Sequence, residues 1–195
     1  MANLKIFVSS TCYDLGILRS NLRNFCTGLG YEPVMSDYSD VLYDPRAHTH
    51  SSCIQEVNNV DVLILVVGSR FGGTVIPKAL GLVDIENARQ LSKSNQIFEK
   101  PDNLSITQLE VIKAIQLKTP IFAFVDNRVL HDHAVYERNK GNKAVIDAIT
   151  FPSIEKPETA KYIFEFINFL RHLTDNNSIQ GFSKSEDIEL HLRKQ

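Results

Sequence analysis

"DVLILVVGSRFGG", residues 61–73, sets the fold class. From Asp61 to Val67 the run is apolar after its first residue and rich in β-branched side chains. Alternation would mark a strand wet on one face. A continuous run of this length marks a central parallel strand buried on both faces. The run breaks at Gly68-Ser69-Arg70-Phe71-Gly72-Gly73, and glycines there let backbone come close to a ligand. Arg70 can pair with a phosphate and Phe71 can stack on a ring. A plain turn is the other reading. The spacing fits neither a Walker loop nor G-x-G-x-x-G.

Upstream, Leu4–Val8 reads as a short buried strand ending at Ser9-Ser10-Thr11. Leu15, Leu18, Leu22, Phe25 and Leu29 then recur at spacings of 3, 4, 3 and 4, one apolar face of a helix. Asp14 falls near its start, where a carboxylate suits the dipole, and Gly28 and Gly30 close it. Three hydroxyls between strand and helix suit an anion site at a helix N-terminus, or an ordinary cap. Residues 31–35 form a weaker strand, 36–49 a loop, and 50–59 a helix with Ile54 and Val57 inward.

Downstream, residues 74–104 read as a long insertion, helical around 84–93. Connections of that length are usually functional or partly mobile. Ile106–Leu117 is a helix capped by Ser105 or Thr107. Residues 120–125 are a strand, 129–139 a helix, and 158–174 a long helix with Ile163, Phe166, Ile167 and Leu170 inward. Ser183 and Glu186 fit a capping box opening a last helix. The alternation of strands and helices implies a parallel sheet with helices on both faces. Ligands in such sheets bind at the carboxyl ends of the strands. That edge would gather Ser9–Thr11, Gly68–Gly73 and the loop before Ile106. We expect one α/β domain over 1–175, a helical segment over 176–195, and further domains beyond it in a longer protein.

On the 106–117 helix, Thr107, Glu110 and Ala114 share one stripe, with Val111, Ile112 and Ile115 over much of the rest. A lone carboxylate there can form the floor of a cleft, where burial would raise its pKa and suit it to nucleophile or general-base work. The alternative is a solvent-facing Glu110 paired with Lys113.

The 195 residues carry net charge -2 and 43% hydrophobic residues, enough for a sizeable core and against a strongly basic nucleic-acid binder. Cys12, Cys26 and Cys53 lack C-x-x-C spacing and read as reduced thiols of a cytosolic protein. His131 and His133 have no partners for a metal set. No apolar run reaches 18 residues, so no membrane span is expected.

Three segments together resemble a bacterial domain of unknown function that is usually N-terminal in multidomain proteins. They are Ile6-Phe7-Val8-Ser9-Ser10-Thr11 with Asp14-Leu15, Asp61–Val67 with Gly68-Ser69-Arg70-Phe71-Gly72, and Ser105, Thr107, Glu110, Ala114, Lys118 and Pro120. The match covers about residues 4–126, and Ile179–Leu192 resembles that family's closing segment. The family looks like a relative of TIR domains and nucleoside 2-deoxyribosyltransferases. That likeness implies a flavodoxin-like (TIR-like) three-layer sandwich with a mostly parallel sheet. It implies cleavage of a nucleotide's base–ribose bond by Glu110, with NAD as substrate and no cofactor. Ser9, Ser10, Thr11, Asp14, Gly68, Arg70, Phe71, Gly72 and Thr107 would hold the nucleotide. A neighbouring protomer often completes such a site, and the setting implied is bacterial antiphage defence or signalling. Many TIR domains are non-catalytic scaffolds, so a module that binds nucleotides or other TIR-like domains is the second reading.

Overall fold

In the computed structural model, which describes residues 3–195, five strands form one all-parallel sheet in the order β2-β1-β3-β4-β5. The strands are β1 (Lys5–Ser10), β2 (Glu32–Val34), β3 (Val62–Val67), β4 (Ile121–Asp126) and β5 (Ile179–Phe182). Nine α-helices are described: α1 (Gly16–Gly28), α2 (Thr49–Glu56), α3 (Pro77–Leu80), α4 (Ile85–Gln90), α5 (Ile106–Gln116), α6 (Asn127–Asn139), α7 (Lys143–Ala148), α8 (Ala160–Arg171) and α9 (Ser185–Leu192). The order is that of flavodoxin-like folds, whose switch point lies between β1 and β3.

β3 is central, flanked by β1 and β4. Its side chains alternate between two cores. Leu63, Leu65 and Val67 join Ile54 of α2, Leu109 and Ile112 of α5, and Ile163 and Ile167 of α8. Ile64 and Val66 join Leu22 and Phe25 of α1 and Ile188 of α9. The result is the three-layer sandwich expected from the sequence.

Several local expectations are corrected. β1 runs through Ser9 and Ser10 to pair with Leu65 and Val66, and α1 begins only at Gly16 with no side-chain cap. Ser9 and Ser10 therefore end the strand, Thr11 follows it, and none of the three caps the helix. Asp14 precedes α1 and leaves its first turn without an acid. Leu29, expected on the inner face of α1, lies just past the helix and is exposed. Residues 176–195 are more than helical: they supply β5, paired with β4 from Ala123↔Ile179 to Asp126↔Phe182. At the start of α9 the backbone N–H groups of Ser183 and Lys184 donate to Asp187 Oδ2, at 2.9 and 3.2 Å, so Asp187 takes the part expected of Glu186.

The insertion of residues 74–104 packs into the core. Val75, Ala79, Val83, Ala88, Ile97, Phe98 and Leu104 are all buried, and the Phe98 ring meets Phe169 of α8 edge-on at 5.4 Å. Its two ends lie side by side, with Thr74 bridged to Ser105 and Val75 N–H donating to Leu104 O at 3.0 Å. It leaves and rejoins the chain at one place, so the β3-to-α5 crossover keeps its path.

Candidate active site

A cleft of about 890 Å³ opens at the carboxyl ends of β1 and β3. One wall carries Ser10, Thr11, Cys12 and Tyr13. Another carries Arg70 to Thr74, and the floor carries Thr107 and Glu110. Side chains of the segments at residues 36–53 and 155–159 complete the rim.

Glu110 is set by a reciprocal cap one turn earlier. Ser105 Oγ accepts from Gln108 N–H at 3.3 Å, and Gln108 Oε1 accepts from Ser105 N–H at 3.0 Å. Ser105 rather than Thr107 does the capping, which leaves Thr107 facing the cleft. One turn on, Glu110 is 6% exposed. Ser9 Oγ donates to its Oε2 at 2.5 Å. Burial pushes the Glu110 carboxyl up from 4.5 to about 7, opposed by the Ser9 hydrogen bond and the charge of Arg19. The pairing with Lys113 does not form; Lys113 Nζ lies 3.5 Å from Leu82 O.

The remaining expected residues divide into two groups. Ser10, Thr11, Arg70, Phe71, Gly72 and Thr107 line the cleft with Glu110. Ser9, Asp14 and Gly68 stand behind the lining. The Asp14 carboxylate accepts from Thr11 Oγ1 and, at 3.1 Å, from Ser69 Oγ, tying the β1 and β3 loops together. A Cβ on Gly68 would sit 2.6 Å from Asp14 Oδ2, so the clamp needs glycine there. Gly72 has φ +89°, a conformation that side-chain-bearing residues rarely adopt. Arg70 lies 3.5 Å from Glu155 Oε1, with its guanidinium 5.0 Å from the Tyr13 ring centroid. Phe71 packs on Tyr162 with ring centroids 5.3 Å apart.

Residues that the sequence reading did not single out also meet here. Arg19 is 1% exposed behind Ser10 and paired with Asp37. It stands four residues after Leu15 and three before Leu22, so a cation on the apolar stripe of α1 was the available signal. Tyr43 donates to Ser36 O at 3.1 Å and lies 3.9 Å from Cys53 Sγ. Burial, with the nearby Glu110 charge, pushes the Cys53 thiol up to about 12. His50 lines the cleft, and burial and the neighbouring His48 lower its pKa. Its Nδ1 is buried without a hydrogen-bond partner among the described residues. Glu155, Lys156 and Glu158 arrive from an irregular loop, tied down where Glu155 N–H donates to Ser69 O at 3.0 Å; no periodicity announces them.

Fold and site together define a flavodoxin-like α/β domain with a cleft at its switch point and a buried carboxylic acid on the cleft floor. The chain belongs to the family described as Domain of unknown function (DUF4062), whose model matches residues 5–195. A search of curated proteins gives no match. Among solved structures, a conserved protein from Enterococcus faecalis is similar over 99% of each chain, at 10% identity and TM-score 0.37, too distant to carry an argument. His133, one of the two histidines weighed for metal, is buried and bonded to Asn168 Oδ1 at 2.9 Å. No helix among the described residues is long and apolar enough to cross a membrane.

Proposed function

We propose that this domain cleaves the base–ribose bond of a nucleotide of the NAD type, with Glu110 as the working carboxylate. The observation that carries this is the Glu110 carboxyl itself, buried at the floor of a nucleotide-sized cleft and titrating near neutrality. N-glycosidic cleavage passes through an oxocarbenium-like sugar, which an adjacent carboxylate stabilises or traps. As the C–N bond breaks, its electron pair leaves with the base. A nicotinamide that is cationic when bound departs neutral, and water completes the sugar. The cationic ring would favour the ionised form of Glu110 in the complex. Ser9 fixes the carboxylate through Oε2, and Thr107, Ser10 and Thr11 offer hydroxyls to ribose and phosphate. Arg70 and Phe71 stand at the rim, where they suit a phosphate and a ring face.

The resemblance of the three segments to TIR domains and nucleoside 2-deoxyribosyltransferases supports the same assignment. It also supports a cytoplasmic role in bacterial defence or signalling, through self-association or domains further along a longer protein. The test is nicotinamide release from NAD by wild type and by Glu110→Gln. Release by wild type alone is expected. No release, with nucleotide binding kept in both, would identify a binding module.

A further inference from the structure

Behind the β1 wall lies an ion pair, with its cation buried, that the proposed chemistry has not used. Arg19 reaches from α1 under the end of β1. Its Nη1 donates to Ser10 Oγ at 2.7 Å, to Val8 O at 3.3 Å and to Ser10 O at 3.5 Å. Its other edge is bidentate on Asp37, with Nε to Oδ2 at 3.0 Å and Nη2 to Oδ1. Arg19 is 1% exposed on its side chain, whereas Asp37 is 29% exposed and lines the cleft. The guanidinium so placed joins the strand that carries Ser9 to the loop after β2. Five hydrogen bonds from the three guanidinium nitrogens of a nearly inaccessible side chain make a rigid arrangement.

We infer that the Arg19–Asp37 pair is a positioning device for Glu110: Arg19 holds the Ser9–Ser10 strand end, and with it the hydroxyl that bonds the carboxylate, and sets a buried positive charge near it, while Asp37 sets how much of that charge the cleft feels. This rests on the reading of Glu110 as the working carboxylate. Ser9 of β1 bonds Glu110 and Arg19 of α1 stands near it, while Cys12, Asp37, Tyr43, His50, Cys53, Arg70, Glu155, Lys156 and Glu158 share its cleft. Of the three cations Arg19, Arg70 and Lys156, Arg19 is the buried one. Burial works to raise the Asp37 carboxyl, and the Arg19 hydrogen bonds and charge hold it below the usual carboxylate range. The pair therefore stays ionised around neutrality.

The two partners should move Glu110 in opposite directions. Arg19→Met removes a cation and leaves Asp37 unneutralised, so both changes disfavour the carboxylate. The Glu110 midpoint should rise by roughly one pH unit. Asp37→Asn removes an anion and keeps a polar acceptor for Arg19, so the midpoint should fall. A merely structural pair would loosen the site in the same way from either end.

The experiment follows the Glu110 carboxyl by NMR in protein labelled with carboxyl-13C glutamate, assigned by loss of the signal in Glu110→Gln, between pH 5 and 9. The expected result is an upward shift in Arg19→Met, a smaller one in Arg19→Lys, which keeps charge without the fork, and a downward shift in Asp37→Asn. Midpoints that match wild type, or that move the same way in both partners, overturn the inference. If Arg19→Met does not fold, Asp37→Asn decides alone, and an unchanged or raised midpoint is refuting. Because the readout needs no turnover, nicotinamide release bears on the nucleotide-cleaving reading and the titration on the pair.

Discussion

Replacing Glu110 by glutamine should stabilise the protein at high pH. In the unfolded chain the carboxyl titrates near 4.5, and in the folded chain at about 7 because burial disfavours the anion. The folded state thus holds this proton more tightly. Below pH 4.5 both states are protonated and the fold has the full benefit. Between about 4.5 and about 7 that benefit is lost, and above 7 the fold retains a buried anion. At about 1.4 kcal/mol per pH unit, the rise corresponds to about 3 kcal/mol. Glutamine keeps the size, stays neutral and can still accept from Ser9, so it escapes this loss. All other titrating groups are common to both proteins and cancel in the difference. Chemical denaturation from pH 4 to 8 should therefore show near-equal stabilities at pH 4. At pH 8 the glutamine protein should lead by about 3 kcal/mol, on the order of 10 °C in Tm for a domain of this size. A variant that is less stable than wild type by the same margin at both pH values would refute a buried, neutral-titrating Glu110.

Gly68→Ala should cost about 1–3 kcal/mol, since its Cβ would meet Asp14 Oδ2 at 2.6 Å and force the Thr11–Asp14–Ser69 clamp apart; thermal denaturation reads the loss, and an unchanged Tm would show that the clamp is slack. Phe98→Ala should cost about 3–5 kcal/mol, because the ring is fully buried against Phe169. A loss below about 0.5 kcal/mol in urea denaturation would mean that the insertion is peripheral. Ending the chain at 178 should abolish cooperative unfolding by removing β5, Phe182 and Ile188 and exposing the edge of β4; a sharp transition at the wild-type Tm would contradict the place of β5 in the sheet.

Legibility in the sequence followed how local the determining force was. β3 was plain because a strand buried on both faces needs no polar residue. α5 was plain because its cap and apolar stripe lie within one window. β5 was missed: Ile179–Phe182 is four residues with a glycine, and its extended form comes from pairing with β4 more than fifty residues earlier. Ser9 and Ser10 were read as a strand's end because hydroxyls suggest turns. Here Ser9 finds its acceptor on Glu110, far along the chain, and Ser10 is held by Arg19, so both remain in the strand. The grouping of Ser10, Thr11, Arg70, Phe71 and Gly72 followed from parallel topology, since strand carboxyl ends share one edge, while Thr107 and Glu110 joined it through the stripe of the 106–117 helix and the family resemblance. The Asp37, Tyr43 and Glu155 side chains did not, because short connecting segments carry no period from which position can be read, and His50 stands in the first turn of α2, where no apolar stripe marks it.

The central claim is that ionised Glu110 breaks an N-glycosidic bond, and nicotinamide release from NAD as a function of pH tests it most directly. The account predicts that kcat/KM rises with pH through about 7, the value in the free protein, and that the kcat limb lies lower because the cationic ring favours the carboxylate. Glu110→Gln should release none at any pH. Release that is insensitive to pH across this range, or that survives in Glu110→Gln, would contradict it.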